Sequence, residues 1–141
     1  WISEAAPYSD DISVNPMNIQ RRTIVDRLYR NREYRTPWLW SLVEMLERTH
    51  VDITESKARI IVHPTAGGKL RGAHNCGSCD AEVVAAIERY SVSADIHEFT
   101  GLDCECKGVW RTEIDSDLWL PAPMGTGGNR RGSAVDLARA P

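Results

Sequence analysis

The residues of this chain that could do chemistry are its four cysteines, which form a C-x-x-C pair and a C-x-C pair: Cys76, Cys79, Cys104 and Cys106. Thiolates are soft ligands, and Zn²⁺ prefers four ligands in a tetrahedron, so two close pairs brought together by a fold suit a zinc site. His74 and His97 are further ligands that could replace a cysteine. The spacing therefore favours zinc bound by the two pairs.

Two other uses of the same cysteines are compatible with their spacing. In an oxidising compartment they could form disulfides, for example Cys76 with Cys104 and Cys79 with Cys106. A C-x-x-C at a helix N-terminus could instead be a redox pair, because the helix dipole lowers a thiol pKa. A related possibility is a cysteine enzyme, with Cys76 or Cys79 as the nucleophile and His97 as its base.

Two carboxylates, Asp80 and Glu82, directly follow the first cysteine pair and fall in the first turn of a predicted helix, where the dipole favours negative charge. A structural zinc site needs four thiolates and leaves Glu82 as a favourable first-turn residue. A catalytic zinc site needs three protein ligands, an open position for water and a nearby carboxylate. The sequence therefore admits both kinds of zinc site.

Helical periodicity predicts two helices ahead of the cysteines, after an acidic and irregular arm at residues 1–14. The first helix is predicted over about residues 16–32, because Asn15 gives an N-cap and the following proline suits the first helical position. The second follows Thr36-Pro37, carries a broad apolar stripe and ends near His50. We expect this stripe to be buried.

Short apolar runs predict a small sheet around the helix that begins near Cys79. A strand at residues 58–62 should lead through a Gly-rich turn to a returning strand at residues 69–74. A further strand is predicted over residues 94–99. Alternation from Trp110 to Leu120 predicts one long strand or a tight hairpin.

The length and charge of the chain limit its function. Its 141 residues suffice for one domain, which we place at residues 15–120, between the arm and a Gly/Pro-rich tail at residues 121–141. The expected fold class is α+β or α/β. With 17 basic and 20 acidic residues, the chain as a whole has no charge surplus for binding nucleic acid.

Arginines are nevertheless concentrated between residues 21 and 35. A strip of this kind could follow a nucleic-acid backbone or meet an acidic partner, with Arg21, Arg22 and Arg30 as the candidate contacts. A solvated helix face is the simpler interpretation.

No apolar run is long enough to span a bilayer, and the N-terminus lacks a secretory pattern, so we expect no membrane association. Because the chain begins with Trp1 instead of Met, we expect it to be a processed product or an excised domain of a larger, secreted protein.

The order of predicted elements over residues 58–106 resembles the zinc-dependent cytidine and nucleobase deaminases, which carry a His/Cys-x-Glu at one helix start and a Cys-x-x-Cys at the next. Asp80-Ala81-Glu82 resembles the first of these motifs. The resemblance implies that Glu82 is the proton shuttle, that Cys104 and Cys106 are thiolate ligands, and that Asp80 or Cys79 is the third ligand.

The function implied by this resemblance is hydrolytic deamination of a base in nucleic acid or a nucleotide. The chain also resembles the terminal domains of bacterial polymorphic toxins, which implies an immunity or inhibitor protein as partner. The competing expectation is a non-catalytic α+β binding module with a structural four-cysteine zinc site. In that module the cysteines are needed for folding and Glu82 is not.

Overall fold

A two-stranded parallel sheet pairs residues near the N-terminus with residues from the middle of the chain. In the computed structural model, which describes residues 1–116, β1 (Asp11–Val14) pairs with β2 (Arg59–Val62) in the register Asp11 to Arg59 and Val14 to Val62. Parallel strands need a long crossover connection, and the crossover here includes a long helix. The predicted strand at 58–62 is confirmed.

The sheet belongs to the first of two compact units into which the chain divides, composed of residues 1–18 and 36–103. This unit begins with helix α1 (Ile2–Ala5) and a 3₁₀ turn (Ala6–Tyr8). The expectation that residues 1–14 are irregular is wrong, because isolated apolar side chains in this segment, including Ile2 and Ile12, are buried.

The longest helix of the first unit is α3 (Leu39–Ser56), preceded by a short α2 that is described below. The predicted second helix is confirmed and continues past His50 by nearly two turns. Its apolar stripe is buried as expected and consists of Leu39, Trp40, Leu42, Val43, Leu46 and Ile53.

Helix α4 (Asp80–Ser93) is confirmed where the sequence predicts it, directly after Cys79. It packs against α3 and β2. The strand predicted over residues 94–99 is wrong: Ile96–Phe99 is a 3₁₀ turn. Asp95 caps this turn by accepting a 2.9 Å bond from the His97 backbone N–H, and such local side-chain bonds compete with strand formation.

Residues 63–79, which connect β2 to α4, form a loop of consecutive turns; we call it the cysteine loop. The returning strand predicted at 69–74 is therefore wrong. Backbone groups of this stretch bond within the loop, as from Gly68 N–H to the Ala73 carbonyl at 2.8 Å, or to the Pro37 carbonyl, as from His74 N–H at 3.1 Å. Gly72 passes so close to Ala66 that a Cβ would lie 2.2 Å from the Ala66 oxygen. Leu70, whose apolar side chain suggested a strand, is exposed.

The second unit contains residues 19–35 and the chain from residue 104 onwards, which is described to residue 116. Its first helix, α2 (Ile24–Arg30), is much shorter than the predicted helix at 16–32. Arg22 has a φ of +66°, outside the helical region, and Thr23 is the N-cap. The backbone therefore enters the helix only after Thr23.

The second unit also contains α5 (Cys106–Asp115), where the sequence predicted a strand or hairpin. The side chains that α5 buries, Cys106 and Trp110, are four residues apart, which is helical spacing. Ile114, which was part of the apparent alternation, is exposed. The end of the predicted strand and the predicted tail at 121–141 lie outside the described residues.

The mixed α+β fold class expected from the sequence is confirmed. Among the described residues, no helix combines the length and the apolar character that crossing a membrane requires.

Candidate metal centre and arginine segment

The C-x-x-C pair lies where the cysteine loop enters α4. Cys79 is the N-cap residue of the helix, and its carbonyl accepts the first intrahelical bond from Val83 N–H at 3.1 Å. Gly77 has a φ of +95°, which lets the chain turn between the two cysteines at little conformational cost. The Sγ atoms of Cys76 and Cys79 are 3.9 Å apart, nearly twice the length of about 2.05 Å for a disulfide bond.

The C-x-C pair lies at the start of α5. Cys106 is the first helical residue, and the Cys104 carbonyl accepts a 2.8 Å bond from Lys107 N–H in the turn that begins the helix. Each cysteine pair is thus associated with a helix N-terminus.

The four cysteine Sγ atoms all lie within 4.8 Å of one another, so the cluster could bind a metal ion. Metal–thiolate bonds of about 2.3 Å in a tetrahedron place the sulfur atoms about 3.8 Å apart, close to the separation of Cys76 and Cys79. Cys79 is 6 % exposed and Cys106 is 9 % exposed, whereas Cys76 is exposed to solvent. Two of the four cysteines are therefore shielded from water, whereas Cys76 is accessible to it.

Asn75 supports the C-x-x-C pair and was not predicted as a site residue. Its side chain is buried at 4 % exposure, and its Oδ1 accepts a 3.2 Å bond from Trp40 N–H in the first turn of α3. A backbone N–H can only donate, so the amide nitrogen must face the other way, where Nδ2 donates to the Cys79 Sγ at 3.4 Å. The only signal in the sequence is the position of Asn75 directly before the first cysteine.

The carboxylate of Asp80 stabilises the same loop. It is 4 % exposed, and its Oδ1 accepts a 2.9 Å bond from the Asn75 backbone N–H. Asp80 is not part of the group of four sulfur atoms. Glu82 lies one residue beyond Ala81 on α4, and its side chain is exposed.

The two histidines predicted as additional ligands lie outside the four-cysteine group. The His74 Nδ1 is 2.9 Å from the Thr36 hydroxyl and 3.0 Å from the Gly72 carbonyl oxygen, so it is engaged in the cysteine loop. His97 is exposed on the 3₁₀ turn after α4.

Residues 19–35, which we call the arginine segment, are organised by a buried carboxylate. Asp26 is 1 % exposed; its Oδ2 accepts a 2.8 Å bond from Arg22 N–H and an ion-paired bond from the Arg30 guanidinium. In return, the Thr23 hydroxyl accepts a 3.1 Å bond from Asp26 N–H. These reciprocal bonds resemble a capping box and fix the start of α2.

A cavity of about 380 Å³ lies within the arginine segment and is lined by Arg22, Thr23, Ile24, Asp26, Arg27, Arg30 and Asn31. Arg21 is exposed beside it along the chain. Arg35 is not part of this lining, and it donates to the Glu113 Oε2 at 2.7 Å. Burial lowers the pKa of the Arg35 guanidinium, and Glu113 opposes that shift.

Three curated relatives are similar to the chain. It is 35 % identical over 114 residues to the archaeosine synthase subunit beta of Methanosarcina acetivorans and 36 % identical over 118 residues to that of Thermococcus kodakarensis. It is also 29 % identical over 116 residues to an uncharacterized protein of Methanocaldococcus jannaschii. These matches cover 81 %, 83 % and 81 % of the chain, but only 32 %, 36 % and 31 % of the relatives.

The chain thus spans about a third of the length of the curated relatives it matches. No protein-family profile matches it. No solved structure matches it either.

The resemblance to nucleobase deaminases is wrong, and so are the hydrolase and toxin assignments that accompanied it. Two of the relatives carry the name of an archaeosine synthase subunit instead. The resemblance depended on the order of predicted elements, and the strands predicted at 69–74 and 94–99 are a turn-rich loop and a 3₁₀ turn. Without these strands, that element order does not exist in the chain.

Proposed function

We propose that this chain is a non-catalytic α+β binding module in a protein related to archaeosine synthase subunit beta. In this proposal its cysteines hold one structural Zn²⁺, and Cys76, Cys79, Cys104 and Cys106 are the ligands. The observation that carries the proposal is the grouping of all four Sγ atoms within 4.8 Å of one another. A closed shell of four thiolates is the usual arrangement of structural zinc, because it leaves no position for water or substrate.

The separation of the sulfur atoms favours a single ion over an iron–sulfur cluster. The ligands of a cluster surround several metal atoms, so their sulfur atoms stand farther apart than around one ion. The 3.9 Å separation of Cys76 and Cys79 matches the edge of a tetrahedron around one metal ion. Among single ions, zinc is the most common choice for four thiolates in a structural site.

The relatives' name supports a binding role. A subunit designated beta implies at least one partner subunit, and the name archaeosine synthase suggests a nucleic-acid context. In this proposal the module contributes contacts to a protein partner and to nucleic acid. The synthase chemistry itself is not assigned to these residues.

Native mass spectrometry of the chain, purified without added metal, tests the proposal. We expect a mass increase equal to one Zn²⁺ ion, with the loss of the protons that the thiolates release. Chelation should then abolish cooperative thermal unfolding followed by circular dichroism, since the free energy of metal binding is part of the folding free energy.

A matched pair of variants identifies the ligands. Cys79→Ser should lose zinc and cooperative unfolding, whereas Ser78→Ala, one residue earlier and exposed, should retain both. Wild-type protein that unfolds cooperatively without any metal would overturn the proposal. Iron in place of zinc, or zinc that survives in Cys79→Ser, would overturn the assignment of the ion or of this ligand.

A further inference from the structure

We propose that the arginine segment binds the phosphate backbone of RNA, with Arg22, Arg27 and Arg30 around the cavity as the contacting side chains. This inference rests on the nucleic-acid context of the proposed function and names the surface that would make the contact. The cysteine cluster takes no part in it.

The charge of the segment is opposite to the charge of the chain. Residues 19–35 contain six arginines and two carboxylates, a formal surplus of four positive charges, whereas the whole chain has a net charge of -3. A basic patch on an acidic protein attracts polyanions to that patch, whereas the surface as a whole does not attract them.

The buried carboxylate of the segment, Asp26, leaves two of the cavity-lining arginines exposed. Asp26 is buried and ion-paired with Arg30, so it offsets the charge of that arginine. Arg22 and Arg27 are exposed, and both line the cavity. Guanidinium groups bind phosphate oxygens through paired N–H donors, and two exposed ones on the rim of a concave surface can do this together.

The wall of the cavity carries side chains that can bind phosphate groups. Its volume of about 380 Å³ is enough for a sugar-phosphate unit, and arginine, threonine and asparagine side chains supply hydrogen-bond donors along its wall. The Asp26 bond to Arg22 N–H holds the left-handed backbone that presents Arg22 at this wall. The site is therefore ordered before a ligand arrives, which lowers the entropy cost of binding.

Binding of a fluorescein-labelled RNA hairpin, measured by fluorescence anisotropy over a series of salt concentrations, tests the proposal. The variant is Arg22→Gln with Arg27→Gln, which spares Arg30 and so leaves the buried Asp26 paired. We expect an affinity loss of about tenfold or more at low salt, and a salt dependence reduced by about two phosphate contacts.

The matched control is Arg48→Gln with Arg89→Gln, which removes the same formal charge from two exposed arginines paired with Glu44 and Glu98. It should bind RNA nearly as well as the wild type. Equal losses in the two variants, or no loss in the first, would overturn the proposal.

Two further arms identify the ligand class. An acidic peptide that displaces the RNA at matched ionic strength would assign the surface to a protein partner and overturn the RNA assignment. Displacement by inorganic phosphate at matched ionic strength would point to a free anion and also overturn it. Zinc content, measured on the same samples, should be unchanged in every variant, so failure here is distinguishable from failure of the metal proposal.

Discussion

The cysteine cluster and the arginine segment are organised in the same way with opposite charges. In each, a buried polar side chain helps to fix the loop that leads into a helix: Asn75, together with Asp80, before α4, and Asp26 at α2. The neutral amide of Asn75 donates toward sulfur, whereas the carboxylate of Asp26 accepts from an arginine side chain and an arginine backbone. In each region the buried group complements the group that it positions, as an amide donor facing a cysteine sulfur and as a carboxylate facing arginines.

The largest effect, on zinc affinity, is expected from a substitution that replaces the hydrogen-bond donor beside the metal site with an acceptor. Asn75→Asp keeps the shape of the side chain but replaces the donor facing Cys79 with an acceptor, and adds a buried negative charge next to thiolates. Loss of such a supporting bond typically lowers metal affinity about 10- to 100-fold. Competition with a chromogenic zinc chelator measures the change.

Asn15→Asp is the matched control for this substitution. Asn15 is exposed, and its amide donates to the Ser13 hydroxyl, so the same chemical change occurs in water. We expect zinc affinity to remain at the wild-type value. If Asn75→Asp also binds zinc normally, the bond from Asn75 to Cys79 has no role in the site and the parallel between the two regions fails.

The second prediction concerns RNA binding by the arginine segment. The expected change in affinity is opposite to the change that net charge alone would give. Asp26→Asn makes the protein more positive by one charge, so a purely charge-driven attraction to RNA would strengthen. We expect weaker RNA binding instead, because the variant loosens the turn that presents Arg22 and the pairing of Arg30. The free energy of unfolding should fall by about 1–3 kcal/mol, as for other charged hydrogen bonds that lose a buried partner.

Anisotropy and chemical denaturation measure the two effects of Asp26→Asn, and Asp10→Asn is the control. Asp10 is exposed, so the same charge change there should leave stability unchanged and slightly favour RNA. Tighter RNA binding by Asp26→Asn would show that net charge, and not the ordered arrangement of arginines, determines the affinity.

The parts of the fold that could be predicted from the sequence are those with long and strong local patterns. Helices α3 and α4 and strand β2 were predicted, because each has a continuous apolar stripe or run. The pairing of β1 with β2 was missed, since Asp11 and Arg59 are 48 residues apart and β1 has only four residues. Helix α5 was missed because its apolar residues happen to fit both a period of two and a helical spacing.

The candidate metal site was predicted only as far as residue types allow. The cysteines were chosen as ligands from their spacing, and their grouping within 4.8 Å depends on long-range packing that spacing does not encode. Asn75 could not be recognised, because its role depends on a bond to Trp40, 35 residues earlier in the chain. The deaminase resemblance failed for a related reason: it relied on predicted strands, and local turn chemistry prevented them.

The smallest effect is expected from a substitution that strains the backbone of the C-x-x-C turn and leaves all four cysteines in place. Gly77→Ala places a side chain at a φ of +95°, and no atom lies within 4 Å of the new Cβ, so the cost is conformational and of order 1 kcal/mol. Gly101→Ala is the matched control, with a φ of +82° and equally open surroundings outside the C-x-x-C turn.

We expect both variants to lose similar stability in denaturant titrations at saturating zinc. Any additional loss in zinc affinity for Gly77→Ala alone then measures how much the turn between Cys76 and Cys79 contributes to metal binding. A loss as large as that of Asn75→Asp would mean that backbone geometry organises the cysteines more than the buried amide does.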